Sequence, residues 1–227
     1  MAVPAPRLLV EDLGRVPYAE ALALQEAALT ARRRGERPDT LFLLEHPPVV
    51  TLGRGSRKGH LRDSPEALRA RGFEVFEARR GGDVTYHGPG QLVGYPVLDL
   101  SARGERDLHA YLRSLEDLLV TALASLGLPA RTVPGYTGVF VGEGEALPGR
   151  FPRKLASIGV GVRGWVTWHG FALNVDVQLE AFEAIVPCGL EGVEMTSVER
   201  ELGAGVPADL PARAREAVRA SFLSRYG

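Results

Sequence analysis

Strand-like and helical segments follow one another along this chain without the regular strand–helix–strand alternation that builds a parallel sheet. Apolar periodicity and capping residues indicate helices at residues 18–34, 107–127, 179–185 and 210–225, with a further helix start at 64–66. Apolar runs and alternation indicate strands at residues 40–52, 73–78, 93–100, 131–141 and 155–175. This irregular order predicts an α/β protein of the α+β type, in which a mixed β-sheet is flanked by helices. We expect the 227 residues to form a single domain, 1–227.

Proline and glycine mark the places where these segments break. Pro47 and Pro48 divide the apolar run at 40–52, which predicts two strand pieces on either side of a kink. Further breaks are expected as turns at Pro134-Gly135 and Gly164, and as a Gly/Pro-rich loop at 142–152.

The composition excludes several classes of function. A net charge of −1 gives no basic footprint, so nucleic acid is not expected as a partner. No apolar run approaches the roughly 20 residues that a bilayer-spanning helix needs, so no membrane span is expected. One cysteine cannot form an internal disulfide, and a reducing cytoplasm is therefore the predicted location. The five histidines show no short paired spacing, which argues against a zinc site.

The rarest residue types of the chain are concentrated between Lys154 and Cys188. This window holds the only cysteine, the only asparagine, both tryptophans, both isoleucines and one of two lysines. Elsewhere arginine replaces almost every lysine, although only lysine readily gives up its proton. A titratable amine and a thiol are the groups that nucleophilic catalysis requires.

A glycine-rich segment at residues 79–91 is the densest motif of the chain. Four glycines and a proline allow its backbone to approach a ligand closely and to present N–H groups to it. It is neither a dinucleotide-binding GxGxxG motif nor a P-loop, because the spacing differs and no Lys-Ser/Thr follows. A ligand site and a tight surface turn both remain open for this segment.

Three other segments also allow a structural interpretation beside the functional one. Lys154 begins an apolar strand and could be an exposed lysine at the edge of a sheet. His169 is predicted to lie in the core as part of an ordinary strand, while Gly170 beside it favours close approach of a ligand to the backbone. Cys188 could be a buried, inert thiol. Its position in a Pro-Cys-Gly turn favours instead a side chain that substrates can reach.

Together these motifs resemble the octanoyltransferases of lipoate biosynthesis, the lipoyl(octanoyl)-protein transferase family. The matching stretches occur in the order of the family and span most of the chain, at residues 45–53, 80–91, 154–159, 169–174 and 187–189. Two departures stand out. Phe140 occupies a position where many members carry tryptophan, and the loop at 142–152 is long.

The resemblance implies a fold like the catalytic domain of biotin- and lipoate-protein ligases, and a monomer without cofactor or metal. It implies transfer of octanoyl from octanoyl-acyl carrier protein to a lysine of apo lipoyl domains, in 2-oxoacid dehydrogenase complexes and the glycine cleavage H protein. Cys188 is then the acyl-thioester nucleophile and Lys154 its acid/base partner. The implied substrate-binding residues are Arg80, Gly81, Gly82, Asp83, Val84, Thr85, Tyr86, His87, Ser157, Ile158, Gly159, Gly170, Phe171 and Ala172.

Three alternatives to this activity stay open. An ATP-dependent lipoate or biotin ligase shares the Arg-Gly-Gly-x-x-x-Tyr-His segment but needs no nucleophilic cysteine. A non-catalytic acyl- or carrier-binding protein would contain an inert Cys188. A thioesterase would pass the acyl group to water.

Overall fold

The computed structural model describes residues 8–57, 59–142, 152–190 and 192–227. Its strands are β1 (Leu9–Arg15), β2 (Thr40–Glu45), β3 (Val49–Leu52), β4 (Glu74–Glu77), β5 (Val84–His87), β6 (Gln91–Val97), β7 (Arg131–Val133), β8 (Tyr136–Val141), β9 (Arg153–Arg163) and β10 (Val166–Asn174). Its α-helices are α1 (Tyr18–Arg33), α2 (Pro65–Ala70), α3 (Leu108–Ser125), α4 (Val198–Leu202) and α5 (Leu210–Tyr226). Short 3-10 helices lie at Leu179–Ala184, Pro187–Gly189 and Gly203–Gly205.

The strands form two sheets. Seven strands build the larger sheet in the order β1-β2-β6-β10-β9-β8-β7, and three build the smaller sheet in the order β4-β3-β5. In the larger sheet β1 and β2 are parallel and the other neighbours are antiparallel, and the smaller sheet also combines both directions. The mixed sheet flanked by helices that the sequence predicts is thus confirmed.

The proline pair directs β2 and β3 into different sheets. Pro47 and Pro48 lack the amide protons that a continuing ladder would need, so the chain turns between Glu45 and Val49. At this corner His46 is fully buried, with its two ring nitrogens 2.7 Å from the Val16 carbonyl oxygen and 2.7 Å from the Tyr95 hydroxyl. The predicted two strand pieces are confirmed, and the kink separates the two sheets of the protein.

Helices cover both faces of the larger sheet because side chains alternate along its strands. Leu41 and Leu43 of β2 pack into the core formed with α3 and α5. Phe42 and Leu44 point the other way, into the core formed with α1. The smaller sheet has a core of its own, which includes Val50, Val84, Phe182 and Ile185.

The structure corrects the sequence prediction in several places. Strands β1 and β5 and helix α4 were not predicted, and residues 179–184 form a 3-10 helix. Strand β5 lies inside the glycine-rich segment, where four residues with strand-forming side chains pair with β3 and are buried, so this part is not a surface turn. Most of the predicted loop at 142–152 lies outside the described residues. Among the described residues, no helix is both long and apolar enough to cross a membrane.

Candidate active site

The lone thiol and the rare lysine lie next to each other. Lys154 enters the interior near the start of β9 and is 1% exposed, so it is not an exposed lysine at a sheet edge. Its Nζ donates to Cys188 Sγ at 3.2 Å and to the Thr137 carbonyl oxygen at 3.1 Å. The same Nζ lies 5.3 Å from the centre of the Phe140 ring, where an ammonium group is favoured.

A strained turn presents Cys188 to Lys154. The turn expected from the Pro-Cys-Gly sequence is the 3-10 turn Pro187–Gly189, and Cys188 at its centre has a φ of 57°. A left-handed backbone is unfavourable for a residue with a Cβ and persists only where its surroundings enforce it. The hydroxyl of Ser157 also lies close to the thiol, 3.5 Å from Cys188 Sγ.

The electrostatic surroundings favour the reactive form of the thiol. Burial raises the pKa of Cys188, whereas the Lys154 ammonium, hydrogen bonds from Ser157 and Lys154, and the Arg80 guanidinium lower it. The net effect is a pKa below the ordinary value for cysteine. Because the thiolate is the nucleophile, this arrangement is suited to attack on an electrophilic acyl carbon.

The arginine of the glycine-rich segment is a structural part of the site. Arg80 is buried and donates to the Thr51 carbonyl oxygen at 2.7 Å and to the Thr51 hydroxyl at 2.9 Å. The backbone beside it packs tightly on β9, because a Cβ on Gly159 would lie 2.8 Å from the Gly81 carbonyl oxygen. Glycine at position 159 therefore allows the segment to lie against the strand that carries Lys154.

A cavity of about 230 Å³ opens at the thiol and the amine. It contacts Cys188, Lys154 and twelve of the predicted binding residues: Arg80, Gly82, Asp83, Val84, Thr85, His87, Ser157, Ile158, Gly159, Gly170, Phe171 and Ala172. The cavity wall also contains residues that the sequence did not single out for binding: Tyr18, Tyr95, Gly135, Tyr136, Thr137, His169 and Leu190. Segments far apart in the sequence thus meet around one cavity.

Two predicted binding residues lie outside the cavity wall. The Tyr86 ring packs between Phe73 and Phe182, with ring centroids 5.6 Å and 5.4 Å away, and so belongs to the core of the smaller sheet. The backbone N–H of Gly81 donates to the Val160 carbonyl oxygen at 2.8 Å and holds the segment on β9. Gly170 lines the cavity, but the carbonyl oxygen of Gly94 on β6 also requires glycine there, since a Cβ would lie 2.2 Å from it.

Comparison with known proteins decides the family. Residues 17–222 match the family model described as "Lipoyl protein ligase A/B catalytic domain". An octanoyltransferase of Geobacter metallireducens is 50% identical over 200 residues, which cover 88% of this chain and 86% of the relative. An octanoyltransferase of Rubrobacter xylanophilus is 50% identical over 196 residues, covering 86% of this chain and 83% of the relative. The chain belongs to the octanoyltransferase family.

Solved structures agree with this octanoyltransferase at the level of the fold. A putative lipoate protein ligase of Thermoplasma acidophilum with bound lipoic acid has a TM-score of 0.68 at 18% identity, covering 97% of this chain and 85% of its own. A lipoate-protein ligase A bound with ATP has a TM-score of 0.65 at 19% identity, with the same coverage. A biotin protein ligase from Leishmania major has a TM-score of 0.52 at 11% identity, covering 96% of this chain and 74% of its own. The expected ligase-like fold is confirmed, and the relatives assign the chain to the acyltransferases.

Three polar atoms on the wall of the octanoyltransferase cavity are buried without a hydrogen-bond partner among the described residues. They are Tyr18 Oη, Thr85 Oγ1 and His169 Nε2. The predicted burial of His169 is confirmed at 1% exposure, but its backbone is left-handed, with a φ of 53°. Burial, together with Arg80 and Arg54, lowers the pKa of His169 to about 3, so its imidazole is neutral.

A histidine–aspartate pair lies against Gly189, the residue that follows Cys188. His60 Nδ1 donates to Asp83 Oδ2 at 2.6 Å, and a Cβ on Gly189 would lie 2.5 Å from that oxygen and 2.9 Å from His60 Cε1. The sequence did not single out His60, because its contact with Gly189 joins segments that lie far apart along the chain. No group of three or more potential metal-binding side chains occurs in the described part of the chain.

Proposed function

We propose that this octanoyltransferase takes octanoyl from octanoyl-acyl carrier protein and transfers it to a lysine of an apo lipoyl domain through a thioester on Cys188. The observation that carries the proposal is the 3.2 Å contact between Lys154 Nζ and Cys188 Sγ at the cavity wall. The relatives support octanoyl transfer in lipoate biosynthesis.

In the first half-reaction the Cys188 thiolate attacks the carbonyl carbon of the donor thioester. The bond from that carbon to the carrier sulfur breaks, and Lys154 gives a proton to the departing thiolate. Lys154 is left as a neutral amine beside octanoyl-Cys188. Backbone N–H groups near Gly159 are the proposed donors to the oxyanion, because they belong to a fixed strand at the cavity.

In the second half-reaction the acceptor lysine forms a C–N bond to the acyl carbon, and the bond to Cys188 Sγ breaks. The neutral amine of Lys154 takes one proton from the attacking nitrogen, which restores the ammonium–thiolate pair. This scheme needs lysine at position 154, because arginine does not lose its proton in proteins.

The partners follow from the same proposal. The acceptors are apo lipoyl domains, as found in 2-oxoacid dehydrogenase complexes and in the glycine cleavage H protein. A single catalytic domain at 1–227, a monomeric state and a cytoplasmic location remain predictions.

The acyl-enzyme is the direct test of the proposal. Mass spectrometry of the intact protein after mixing with octanoyl-acyl carrier protein should show one added octanoyl group, which is lost in Cys188→Ala. If wild-type protein transfers octanoyl to the lipoyl domain without forming an adduct, the thioester mechanism is wrong. Release of octanoate to water in the presence of the acceptor would indicate a thioesterase, and ATP consumption would indicate a ligase.

Lys154→Arg tests whether Lys154 transfers protons in the reaction at Cys188. The variant keeps the positive charge beside Cys188 but cannot exchange a proton, so turnover should fall by about 10²–10⁴-fold, the usual contribution of general acid–base catalysis. Urea unfolding shows whether the variant is folded. A rate close to that of the wild-type protein would exclude proton transfer by Lys154.

A further inference from the structure

The proton balance of the proposed transfer leaves one proton without an acceptor. At neutral pH the acceptor lysine arrives as an ammonium ion and leaves as an amide nitrogen, so it loses two protons. Lys154 has given one proton to the carrier thiol and can take back only one. The overall reaction of thioester and ammonium therefore yields amide, thiol and one additional H⁺, which must reach solvent.

The additional proton has to leave before the attack on the acyl group. An ammonium nitrogen has no lone pair, and an ordinary lysine is only about 0.04% neutral at pH 7, given its pKa of about 10.4. A base beside the Cys188 turn would supply the neutral amine. Lys154 is poorly placed for this first proton, because it is almost fully buried and hydrogen-bonded to Cys188 Sγ.

We propose that His60, oriented by Asp83, is the general base that takes this first proton from the acceptor lysine. This inference rests on the proposed function. His60 Nδ1 donates to Asp83 Oδ2 at 2.6 Å, so in the neutral ring the lone pair is on Nε2. No described residue bonds to Nε2. A carboxylate that fixes the tautomer of an imidazole base is an arrangement known from hydrolases.

Backbone contacts hold both residues of the pair in place beside the Cys188 turn. The His60 carbonyl oxygen accepts from the Val186 N–H at 2.8 Å, and the neighbouring Leu61 forms a β-bridge with Ile185. Asp83 Oδ1 accepts from the Val84 N–H at 2.7 Å, and Asp83 lines the cavity that contains Cys188.

The exposure of the pair suits transfer to solvent. The His60 side chain is 22% exposed and that of Asp83 is 11% exposed. A proton taken by Nε2 can therefore pass to bulk water, whereas Lys154 keeps its proton in the interior. His60 thus takes the first proton of the acceptor lysine at the surface, and Lys154 takes the second proton in the interior.

The test separates the two half-reactions. His60→Gln should form octanoyl-Cys188 within about threefold of the wild-type rate, because the first half-reaction does not need the base. Transfer from the isolated acyl-enzyme to an apo lipoyl domain should slow by about 100-fold, the lower end of general-base effects. Both rates are followed by mass spectrometry of the quenched protein, with the exposed His109→Gln as the matched control.

Hydroxylamine distinguishes a base from a positioning residue. This nucleophile is already neutral at pH 7, so it should cleave the acyl-enzyme of His60→Gln at the wild-type rate. Equal slowing of acylation, hydroxylamine cleavage and lysine transfer would show that His60 only holds the Cys188 turn, and would overturn the proposal. Unchanged transfer to the lipoyl domain would overturn it as well. Failure of the wild-type protein to form any acyl-enzyme would instead contradict the proposed function.

Discussion

A single methyl group on Gly138 is expected to separate the Lys154 amine from Cys188. Gly138 lies in β8 with a φ of 134°, and a Cβ there would be 2.7 Å from Lys154 Cε and 2.6 Å from the Ala156 carbonyl oxygen. Ordinary carbon–carbon contacts begin at about 3.5 Å, so Cε must retreat by about 0.8 Å. Gly138→Ala therefore displaces Lys154 without changing the identity of Lys154 or Cys188.

The size of the effect follows from this displacement. A shift of about 1 Å in a reacting group can cost about 100-fold in rate, or about 2.7 kcal/mol in activation free energy. The positive φ costs a residue with a Cβ about 1–3 kcal/mol in the free energy of unfolding, and the contact with the Ala156 carbonyl oxygen adds to this loss because a backbone atom cannot rotate away. The variant is thus expected to be folded, somewhat less stable and about 100-fold slower.

Gly127→Ala is the matched control. Gly127 also has a left-handed backbone, with a φ of 78°, but a Cβ there would meet no atom within 4 Å. Both variants should lose stability in urea unfolding, and only Gly138→Ala should lose its rate of octanoyl transfer per folded molecule. If the two variants transfer octanoyl at rates within threefold of each other, the contact between Gly138 and Lys154 does not set the position of the amine.

Three further predictions concern the Cys188 thiol, the buried His46 and the Tyr18 hydroxyl on the cavity wall. The hydrogen bond from Ser157 lowers the pKa of Cys188, so Ser157→Ala should raise the pH at which alkylation of Cys188 reaches half its maximal rate. An unchanged pH would show that Ser157 does not act on the thiol. Burial lowers the pKa of His46 to about 4, so below about pH 6.5 the unfolded chain binds a proton that the folded protein excludes. His46 should therefore lower the free energy of unfolding, measured in urea, by about 2 kcal/mol between pH 7 and pH 5, and in His46→Asn the loss of stability over this range should be smaller by that amount; an equal loss in both proteins would contradict the assignment. Tyr18→Phe removes an unpartnered hydroxyl from the cavity wall and should raise the transfer of decanoyl relative to octanoyl in a competition assay; an unaltered ratio would place the acyl chain elsewhere.

The elements with clear local signals were predictable from the sequence. Asp107 accepts from the Ala110 N–H as the N-cap of α3, and Ser64 caps α2 in the same way, as their positions in the sequence indicate. Strand β1 carries no such signal, because it lies at the edge of the sheet and each of its residues is exposed or only half-buried. Its pairing with β2 is a long-range contact that local periodicity does not encode.

The candidate site was predictable from the sequence only where its residues stand out in their own segments. Cys188 and Lys154 were singled out because their residue types are rare in the chain and lie in recognisable motifs, and the structure places them in contact. His60 was missed because nothing in its own segment distinguishes it. Its proposed role depends on Asp83 and Gly189, which lie far from it in the sequence and come close where the segment at residues 60–62 pairs with that at 184–186.

The division of the protein into two sheets has a consequence for how it loses activity on denaturation. Lys154 belongs to a strand of the larger sheet, whereas the turn of Cys188 follows Ile185, which is buried in the core of the smaller sheet. Regions of a protein open with different free energies. If the core of the smaller sheet opens first, Cys188 Sγ moves away from Lys154 Nζ while the core of the larger sheet is intact. Enzymatic activity would then be lost at a lower urea concentration than the helical signal of α3 and α5, which pack on the larger sheet.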